Sequence, residues 1–226
     1  MSADDASLDA LGRYALRFVK PGQTIGLGTG RAASAFIRAL GASGISVRGV
    51  PTSTPAEELA RSVGIPIVTL EQAGKIDTDF DGADEVDPRL NLIKGYGGAL
   101  VREKIVAASS RRFLVLVGYE KMVKKLGDRG SIPVEVVPFG LPLVSAKIKS
   151  LGMKPHVRET DGTQFITDNG NLILDCAVKK IANPARLDGD LLAIPGVVGT
   201  GLFIAMADVV LLAEESGKIR TLKRQH

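Results

Sequence analysis

The segment TIGLGTGRAASAFIRAL, residues 24–40, contains a short apolar run, a glycine-rich turn and a helical pattern in succession. Residues 24–28 predict a short buried strand. Residues 31–40 place apolar side chains at helical spacing, and we expect that helix to end at Gly41. A strand that leads through a tight turn into a helix is half of a β-α-β unit. Such units build parallel sheets with helices on their faces.

The same alternation continues on either side of this segment, up to residue 125 or so. A helix capped by Ser7 and ended by Pro21-Gly22 is predicted before it. Strands are predicted at 47–50, at 65–70, in the segment that enters 79–82, and at 113–118, and helices at 54–63 and 97–109. Apolar strands that alternate with helices predict an α/β domain with a buried parallel sheet.

The pattern changes after Lys125. Residues 127–133 are typical of a linker. Beyond them we expect strands at 134–137 and 154–159, a helix at 143–152, and a hairpin at 164–176 with Asn169-Gly170 near its tip. Antiparallel pairing with a helix predicts a separate, small α+β domain. Two further strands, at 207–213 and 218–222, fit either domain.

Composition limits the classes of function. The net charge is only +4 and aromatic residues make up 4% of the 226, which disfavours a nucleic-acid partner. We interpret the basic run at 218–226 as a solvated tail. The single cysteine, Cys176, excludes an internal disulfide and is expected in the core. No stretch resembles a signal peptide or a membrane span, so the sequence predicts a cytoplasmic protein without a membrane partner.

The glycine-rich turn, GLGTGRAA at 26–33, is a candidate phosphate site. Its glycines free the backbone amides, and a helix N-terminus follows. The spacing also fits a dinucleotide fingerprint, but that motif needs an acid after the second strand, where this chain reads VRGVPTS. A single phosphate therefore fits better than a dinucleotide. A tight turn without any ligand remains the alternative.

An acidic segment, DFDGADEVD at 79–87, stands in a chain that is not acidic overall. With Asp77 it matches the start of a calcium-binding EF-hand loop, but the twelfth position, which must be a bidentate glutamate, is Pro88. Magnesium needs fewer protein ligands and stays open, although nothing requires it. The other alternative is a solvated acidic loop.

Lys94 and Glu103 follow the acidic segment. A lysine near carboxylates offers a cation for a developing oxyanion. A carboxylate on the inner face of a helix can act as a proton-shuttling base. Of the two histidines, His156 lies in the second domain and His226 is terminal, so carboxylates and lysine must carry any acid–base chemistry.

Several segments, in order along nearly the whole chain, closely resemble ribose-5-phosphate isomerase, type A. They are GLGTG, TSTPAEELA, DGADEVD, LIKGYGGALVREKIVA, PVEVVPFG, TDNGNLILD and IPGVVGTGLF. The resemblance implies a Rossmann-like catalytic domain, residues 1–126 plus 206–226, and an inserted ferredoxin-like domain, residues 127–205, that serves oligomerisation. It implies a homodimer or homotetramer, a sugar-phosphate substrate, and neither a metal nor an organic cofactor.

The resemblance also implies a reaction, the aldose–ketose isomerisation of ribose 5-phosphate to ribulose 5-phosphate through a cis-enediolate. Glu103 matches the base, Asp81 the ring-opening group and Lys94 the counter-charge. Asp84 matches a group that either hydrogen-bonds to the hydroxyls or relays protons to them. The remaining carboxylates, Asp77, Asp79, Glu85 and Asp87, are expected to be solvated or structural. Substrate-binding positions are implied at Thr29, Gly30, Arg31, Ala32, Gly82, Ala83, Gly95, Tyr96, Gly97 and Lys121.

Two positions depart from the family pattern. Where the family reads TGST, this chain has Arg31 and Ala32, so two hydroxyls are lost and a guanidinium is gained. Arg31 is expected either to grip the ligand or to point to solvent. Where the family has glycine, Tyr96 is expected either to shift the loop, if a positive φ is needed there, or to cover the pocket.

Three other functions compete with this one. A related amino-sugar phosphate deaminase/isomerase would favour a histidine near the reacting carbon. A non-catalytic sugar-phosphate sensor of the same fold could dispense with the base. A CoA transferase could also use a glutamate, but it would have a longer, two-subunit architecture.

Overall fold

The computed structural model describes residues 4–178 and 181–224, so residues 225–226, which end the basic tail and include His226, lie outside it. The helices are α1 (Asp5–Ala15), α2 (Arg31–Ser43), α3 (Thr54–Ser62), α4 (Leu70–Ala73), α5 (Leu100–Ala108), α6 (Leu141–Ser150) and α7 (Pro184–Leu192). The strands are β1 (Thr24–Leu27), β2 (Arg48–Pro51), β3 (Thr78–Gly82), β4 (Glu85–Val86), β5 (Leu92–Ile93), β6 (Phe113–Gly118), β7 (Ser131–Val136), β8 (Lys154–Val157), β9 (Glu159–Thr160), β10 (Thr163–Gln164), β11 (Leu172–Ala177), β12 (Val197–Thr200), β13 (Leu202–Phe203), β14 (Val209–Ala213) and β15 (Ile219–Lys223).

The chain forms two compact units. The first contains the described residues up to Ala83, then Arg102–Met122 and those from Met206 onward; the second contains Asp84–Val101 and Val123–Ala205. These bounds differ from the expected 1–126 plus 206–226 and 127–205. Residues 84–101 join the second unit because β4 pairs with β5 and β5 pairs with β13, which lies in that unit.

The first unit is built on a six-stranded sheet in the order β15-β14-β6-β3-β1-β2. Its strands are parallel except for β15, which pairs antiparallel with β14. Helix α2 covers one face, where the rings of Phe36 and Phe80 stack 4.2 Å apart. The predicted α/β class with a buried parallel sheet is confirmed. The strands at 207–213 and 218–222, which the sequence left between the two domains, belong to this sheet.

The second unit contains a four-stranded antiparallel sheet in the order β12-β7-β11-β8. Helix α6 connects β7 to β8, and α7 connects β11 to β12. This is a ferredoxin-like arrangement, as the resemblance implied. Cys176 lies in its core, fully buried, and burial raises the pKa of its thiol to about 12, with a further contribution from the charge of Asp175.

Several predicted element boundaries were wrong. The cap of α1 is Asp4, whose carboxylate accepts the Ser7 N–H, and α1 itself ends at Ala15. Helix α2 passes through Gly41 and ends at Ser43, followed by Gly44 as its C-cap with φ 69°. Glycine is needed at position 41 because a Cβ there would overlap Val63 at the end of α3.

Two predictions of strands and one of a linker also need correction. Residues 65–70 form no strand but a single bridge from Ile67 to Gly49, and α4 begins at Leu70. The expected linker at 127–133 is partly β7, which begins at Ser131. In the expected hairpin at 164–176, the turn around Asn169-Gly170 is found, because Ile166 bridges to Leu172 and the Thr167 N–H donates to Asn171 O. Beyond that turn, β11 pairs with β7 and β8.

Candidate active site

In the first unit, polar side chains follow four adjacent parallel strands. Thr29 comes after β1, Ser53 after β2, Asp81 near the end of β3, and Lys121 in a short turn after β6. The carboxyl ends of parallel strands meet at one edge of a sheet, where α/β proteins bind ligands. The same rule predicts that the loops at 26–33, 51–58 and 81–87 converge, and hydrogen bonds within this unit join the first two loops and Asp81 of the third.

Asp81 is fully buried, and backbone amides orient its carboxylate. Its Oδ1 accepts the N–H of Thr29 at 2.9 Å and that of Gly82 at 2.7 Å. Gly28 permits this contact, because a Cβ at that position would overlap the carboxylate of Asp81. The glycine-rich turn thus binds the carboxylate of Asp81. This contact requires a glycine at position 28, whether or not the turn also binds a phosphate.

Hydroxyl groups from the next loop position Thr29. Thr29 Oγ1 donates to Ser53 Oγ at 2.7 Å and lies 2.9 Å from Thr52 Oγ1. Ser53 also caps α3 by accepting the Ala56 N–H. Sequence reasoning predicted the loop at 51–58 but assigned no site residue there. The signal was the Ser-Thr-Pro helix start, which places a capping hydroxyl at the carboxyl end of β2.

Helix α2 begins beside this network. Gly30 adopts φ 100°, and the backbone amides of Arg31 and Ala32 lie in the first turn of α2. Arg31 donates to Asp5 of α1 at 2.8 Å, which raises the pKa of its guanidinium. Both side chains are largely exposed. The Arg31 side chain is therefore exposed, as one of the two expectations had it, but its guanidinium pairs with Asp5 of α1.

Glu103 lies in α5 and is 4% exposed. Helix α5 packs closely on β1, because a Cβ at Gly26 would overlap both Val106 and the carboxylate of Asp79. Glu103 and Val106 are three positions apart and share one helix face. A helix between parallel strands runs antiparallel to them, so the first turn of α5, with Glu103, lies towards the carboxyl edge of the sheet.

The second unit holds the other predicted catalytic residues. Asp84 donates its N–H to Ile93 O at 2.8 Å, and its Oδ2 accepts the N–H of Tyr96 at 3.0 Å. Lys94 is 2% exposed, its N–H donates to Gly201 O, and its ammonium lies 5.5 Å from the centre of the Phe203 ring. Asp84 and the loop at 94–98 are thus held together within this unit.

Tyr96 does not distort the loop. The positive φ values belong to its neighbours Gly95 (103°) and Gly98 (87°). Its ring packs against the core of the second unit, and its hydroxyl donates to the Ser131 carbonyl at 3.2 Å. The condition for the expected loop shift, a positive φ at position 96, is therefore not met. Burial raises the pKa of the phenol, partly opposed by the hydrogen bond from Ser131.

The other carboxylates of the acidic segment are structural. Asp77 accepts the Thr24 N–H at 3.0 Å, and Asp87 closes its turn by accepting two backbone N–H groups and the Asn91 side chain. Glu85 accepts the amides of residues 127 and 129, while its burial raises its pKa against those two hydrogen bonds. Asp79, in β3, is fully buried, and its carboxylate lies against Gly26 of the adjacent strand β1. A solvated acidic loop is therefore excluded.

In the described part of the chain, residues 4–178 and 181–224, no three His, Cys, Asp or Glu side chains are grouped so that they could hold a metal ion. The helices in this part of the chain are all too short or too polar to cross a bilayer.

The parallel sheet, with a buried aspartate and glutamate towards its carboxyl edge and a ferredoxin-like second unit, defines a class of α/β enzymes. A model of the family Ribose 5-phosphate isomerase A (phosphoriboisomerase A) matches residues 48–217. The Ribose-5-phosphate isomerase A of Roseiflexus sp. (strain RS-1) is 50% identical over 210 residues, which cover 90% of each chain. This chain belongs to the ribose-5-phosphate isomerase A family.

Solved structures agree with this assignment. A D-ribose-5-phosphate isomerase in complex with phospho-erythronic acid matches with a TM-score of 0.94 and 38% identity, covering 98% of this chain and 100% of that one. The ribose 5-phosphate isomerase A of Methanocaldococcus jannaschii matches with a TM-score of 0.92 and 40% identity over the same shares. The family predicted from the sequence is confirmed.

Proposed function

We propose that this protein interconverts D-ribose 5-phosphate and D-ribulose 5-phosphate through a cis-enediolate. The observation that carries the proposal is Glu103, a buried carboxylate on α5 in a chain that belongs to the ribose-5-phosphate isomerase A family. A buried base can take a proton from the substrate and return it, because water is kept away from the carboxylate. That is what a 1,2-proton transfer requires.

Ring opening comes first. Asp81 acts as the acid–base group that moves a proton from the anomeric hydroxyl to the ring oxygen, which opens the furanose to the free aldehyde. The two amides that donate to Oδ1 of Asp81 support this role, because they fix the orientation of the carboxylate.

Proton transfer follows. Glu103 takes the proton from C2, and the electron pair of that bond becomes part of the enediolate. Lys94 stabilises the negative charge on the enediolate oxygens. Asp84 moves the hydroxyl proton from O2 to O1. Glu103 then returns its proton to C1, so C2 becomes the ketone and C1 the hydroxymethyl group.

The remaining positions bind the substrate. We assign the phosphate to Lys121 and to the first turn of α2 with its preceding loop, because amides at a helix N-terminus attract anions. The sugar hydroxyls are assigned to the backbone of residues 82–83 and 95–97. Arg31 is excluded from direct contact in this assignment, since it pairs with Asp5.

The rival functions have less support. The deaminase/isomerase chemistry favours a histidine, and His156 is an exposed residue of β8 in the second unit. A sensor without catalysis would not need Glu103, which is present and buried. The matches to isomerases over 90% or more of their lengths also disfavour a CoA transferase.

The test is turnover of ribose 5-phosphate by the purified protein in EDTA, compared with Glu103→Gln. We expect the parent to be active and the variant to lose about 10³-fold in kcat, the range of a lost general base. Comparable turnover by both proteins would remove Glu103 from the mechanism. An inactive parent that still binds the sugar phosphate would support the sensor.

We also propose that the protein is a homo-oligomer, a dimer or a tetramer, and acts in the cytoplasm. The second unit supports assembly, because Phe139 is 96% exposed and Val137 and Leu143 are also exposed apolar side chains. Light scattering should give a multiple of 23.8 kDa for the parent and a smaller mass for Phe139→Ser. A monomeric parent would refute assembly. The proposed cytoplasmic location rests on the single cysteine, Cys176, because a chain that uses no internal disulfide is typical of a reducing compartment.

A further inference from the structure

Arg158 is a buried arginine that the proposed mechanism does not use. It follows β8 in the second unit, and its side chain is 13% exposed. Its Nε and Nη2 donate to the two carboxylate oxygens of Asp175, at 2.9 and 2.6 Å. This two-point contact fixes the plane of the guanidinium, which a lysine in the same place could not do.

The third nitrogen, Nη1, points at the loop that follows Lys94. It donates to the carbonyl of Gly95 at 2.8 Å and to that of Tyr96 at 3.0 Å. The other side of the loop is closed by Phe165, because a Cβ at Gly98 would overlap its ring. The centre of that ring lies 5.9 Å from the Arg158 guanidinium carbon.

A single peptide group connects Arg158 to Asp84. The carbonyl of Gly95 and the N–H of Tyr96 belong to the same peptide unit, which is planar. Arg158 holds its oxygen, and Oδ2 of Asp84 accepts its N–H at 3.0 Å. Rotation of this peptide breaks both contacts together. A hydrogen bond from a cation also polarises the peptide and strengthens the bond that its N–H donates.

We propose that Arg158, oriented by Asp175, is a positioning residue for catalysis. It sets the 95–96 peptide so that the carboxylate of Asp84 is held in one rotamer. This inference rests on the proposed role of Asp84 in proton relay. It concerns the orientation of a catalytic carboxylate and adds no contact between Arg158 and the sugar.

The main variant is Arg158→Lys, which keeps the charge and removes the planar fork. We expect kcat to fall about 10- to 100-fold, as for a catalytic group displaced by about 1 Å. The KM should change much less, and inhibition by phospho-erythronic acid, whose carboxylate imitates the enediolate, should weaken in parallel with kcat. Asp175→Asn, which keeps Arg158 but weakens its anchor, should show the same pattern more mildly and serves if Arg158→Lys does not fold.

The matched control is Arg186→Lys in the same unit, where the arginine side chain is 81% exposed. It should match the parent in kcat and in melting temperature. The decisive comparison adds Arg158→Lys to Asp84→Asn. If Arg158 acts through Asp84, adding Arg158→Lys to Asp84→Asn lowers kcat by no more than about twofold. If the two residues acted independently, their separate effects on kcat would multiply in full.

The outcomes separate the two proposals. Normal turnover by Asp84→Asn would refute the relay role of Asp84 and, with it, this inference. An impaired Asp84→Asn beside a normal kcat in both Arg158→Lys and Asp175→Asn would overturn the inference alone. So would effects of Arg158→Lys and Asp84→Asn that multiply in full, because the arginine would then act independently of Asp84.

Discussion

Glu135 in β7 is expected to be the strongest single polar anchor of the second unit. It is fully buried, and its Oε1 accepts three hydrogen bonds from the turn at 167–171. Thr167 Oγ1 donates at 3.1 Å, Asn169 Nδ2 at 3.0 Å and Asn171 Nδ2 at 2.9 Å. The carboxylate therefore ties β7 to the turn that leads into β11.

Glu135→Ala should lower the free energy of unfolding by about 3 kcal/mol. A hydrogen bond to a charged group contributes roughly 1.5–3 kcal/mol, and donors left buried without an acceptor cost about 1–3 kcal/mol each. The exposed Asn169 amide regains water, so its loss is small. Removal of a buried charge also returns several kcal/mol of desolvation, which keeps the total below the simple sum. Glu135→Gln, which keeps one acceptor oxygen, should lose about 1 kcal/mol.

Urea unfolding followed by circular dichroism measures these differences, and native-state hydrogen exchange of the β7 and β11 amides assigns them to the second unit. Gln164→Ala, at an exposed position of the nearby strand β10, is the control and should stay within about 0.5 kcal/mol of the parent. If Glu135→Ala were as stable as Gln164→Ala, the turn would be held by its backbone alone and the reasoning would be wrong.

Three further changes have expected results. Gly28→Ala should lower kcat about 100-fold, because its Cβ would displace the carboxylate of Asp81, and steady-state kinetics with an unchanged far-ultraviolet spectrum would show it. Cys176, whose thiol pKa is raised to about 12, should not react with a disulfide reagent at pH 8 until urea unfolds the chain; prompt reaction in the native state would contradict its burial. Tyr96→Phe removes the hydrogen bond to Ser131 and should cost about 1 kcal/mol of stability. Folding raises the pKa of the Tyr96 phenol. The neutral phenol therefore contributes to stability below the pKa of the unfolded state, and this contribution is lost as the pH rises through the pKa of the folded state. The melting temperature of the parent should fall more steeply than that of the variant above about pH 10.

The sequence predicted the parallel sheet because apolar runs such as β1 and β6 alternate with helical patterns along the chain. It failed at 65–70, where an equally apolar run forms only one bridge. A strand needs a partner, and β2 offers only Gly49 there. The predicted helix end at Gly41 was also wrong. That glycine makes room for Val63 and does not end the helix.

The site was predicted unevenly. Asp81 and the glycine turn were recognisable because carboxylates and glycines stood together at the end of apolar strands. The resemblance separated Glu85 and Asp87 from the catalytic acids, but the local pattern alone could not, because their amide partners are set by tertiary pairing. Arg158 was missed for the same reason, since its partners Gly95 and Asp175 are far from it in the chain and no local motif marks them.

The role of Glu103 as the single base that moves the proton between C2 and C1 is tested most directly by isotope exchange. Ribose 5-phosphate is incubated with the parent and with Glu103→Gln in D₂O, and the products are analysed by NMR. We predict deuterium at C1 of the ribulose 5-phosphate formed by the parent, and loss of both turnover and exchange in the variant. Turnover and deuterium incorporation that persist in Glu103→Gln at the parent's rate would contradict this role.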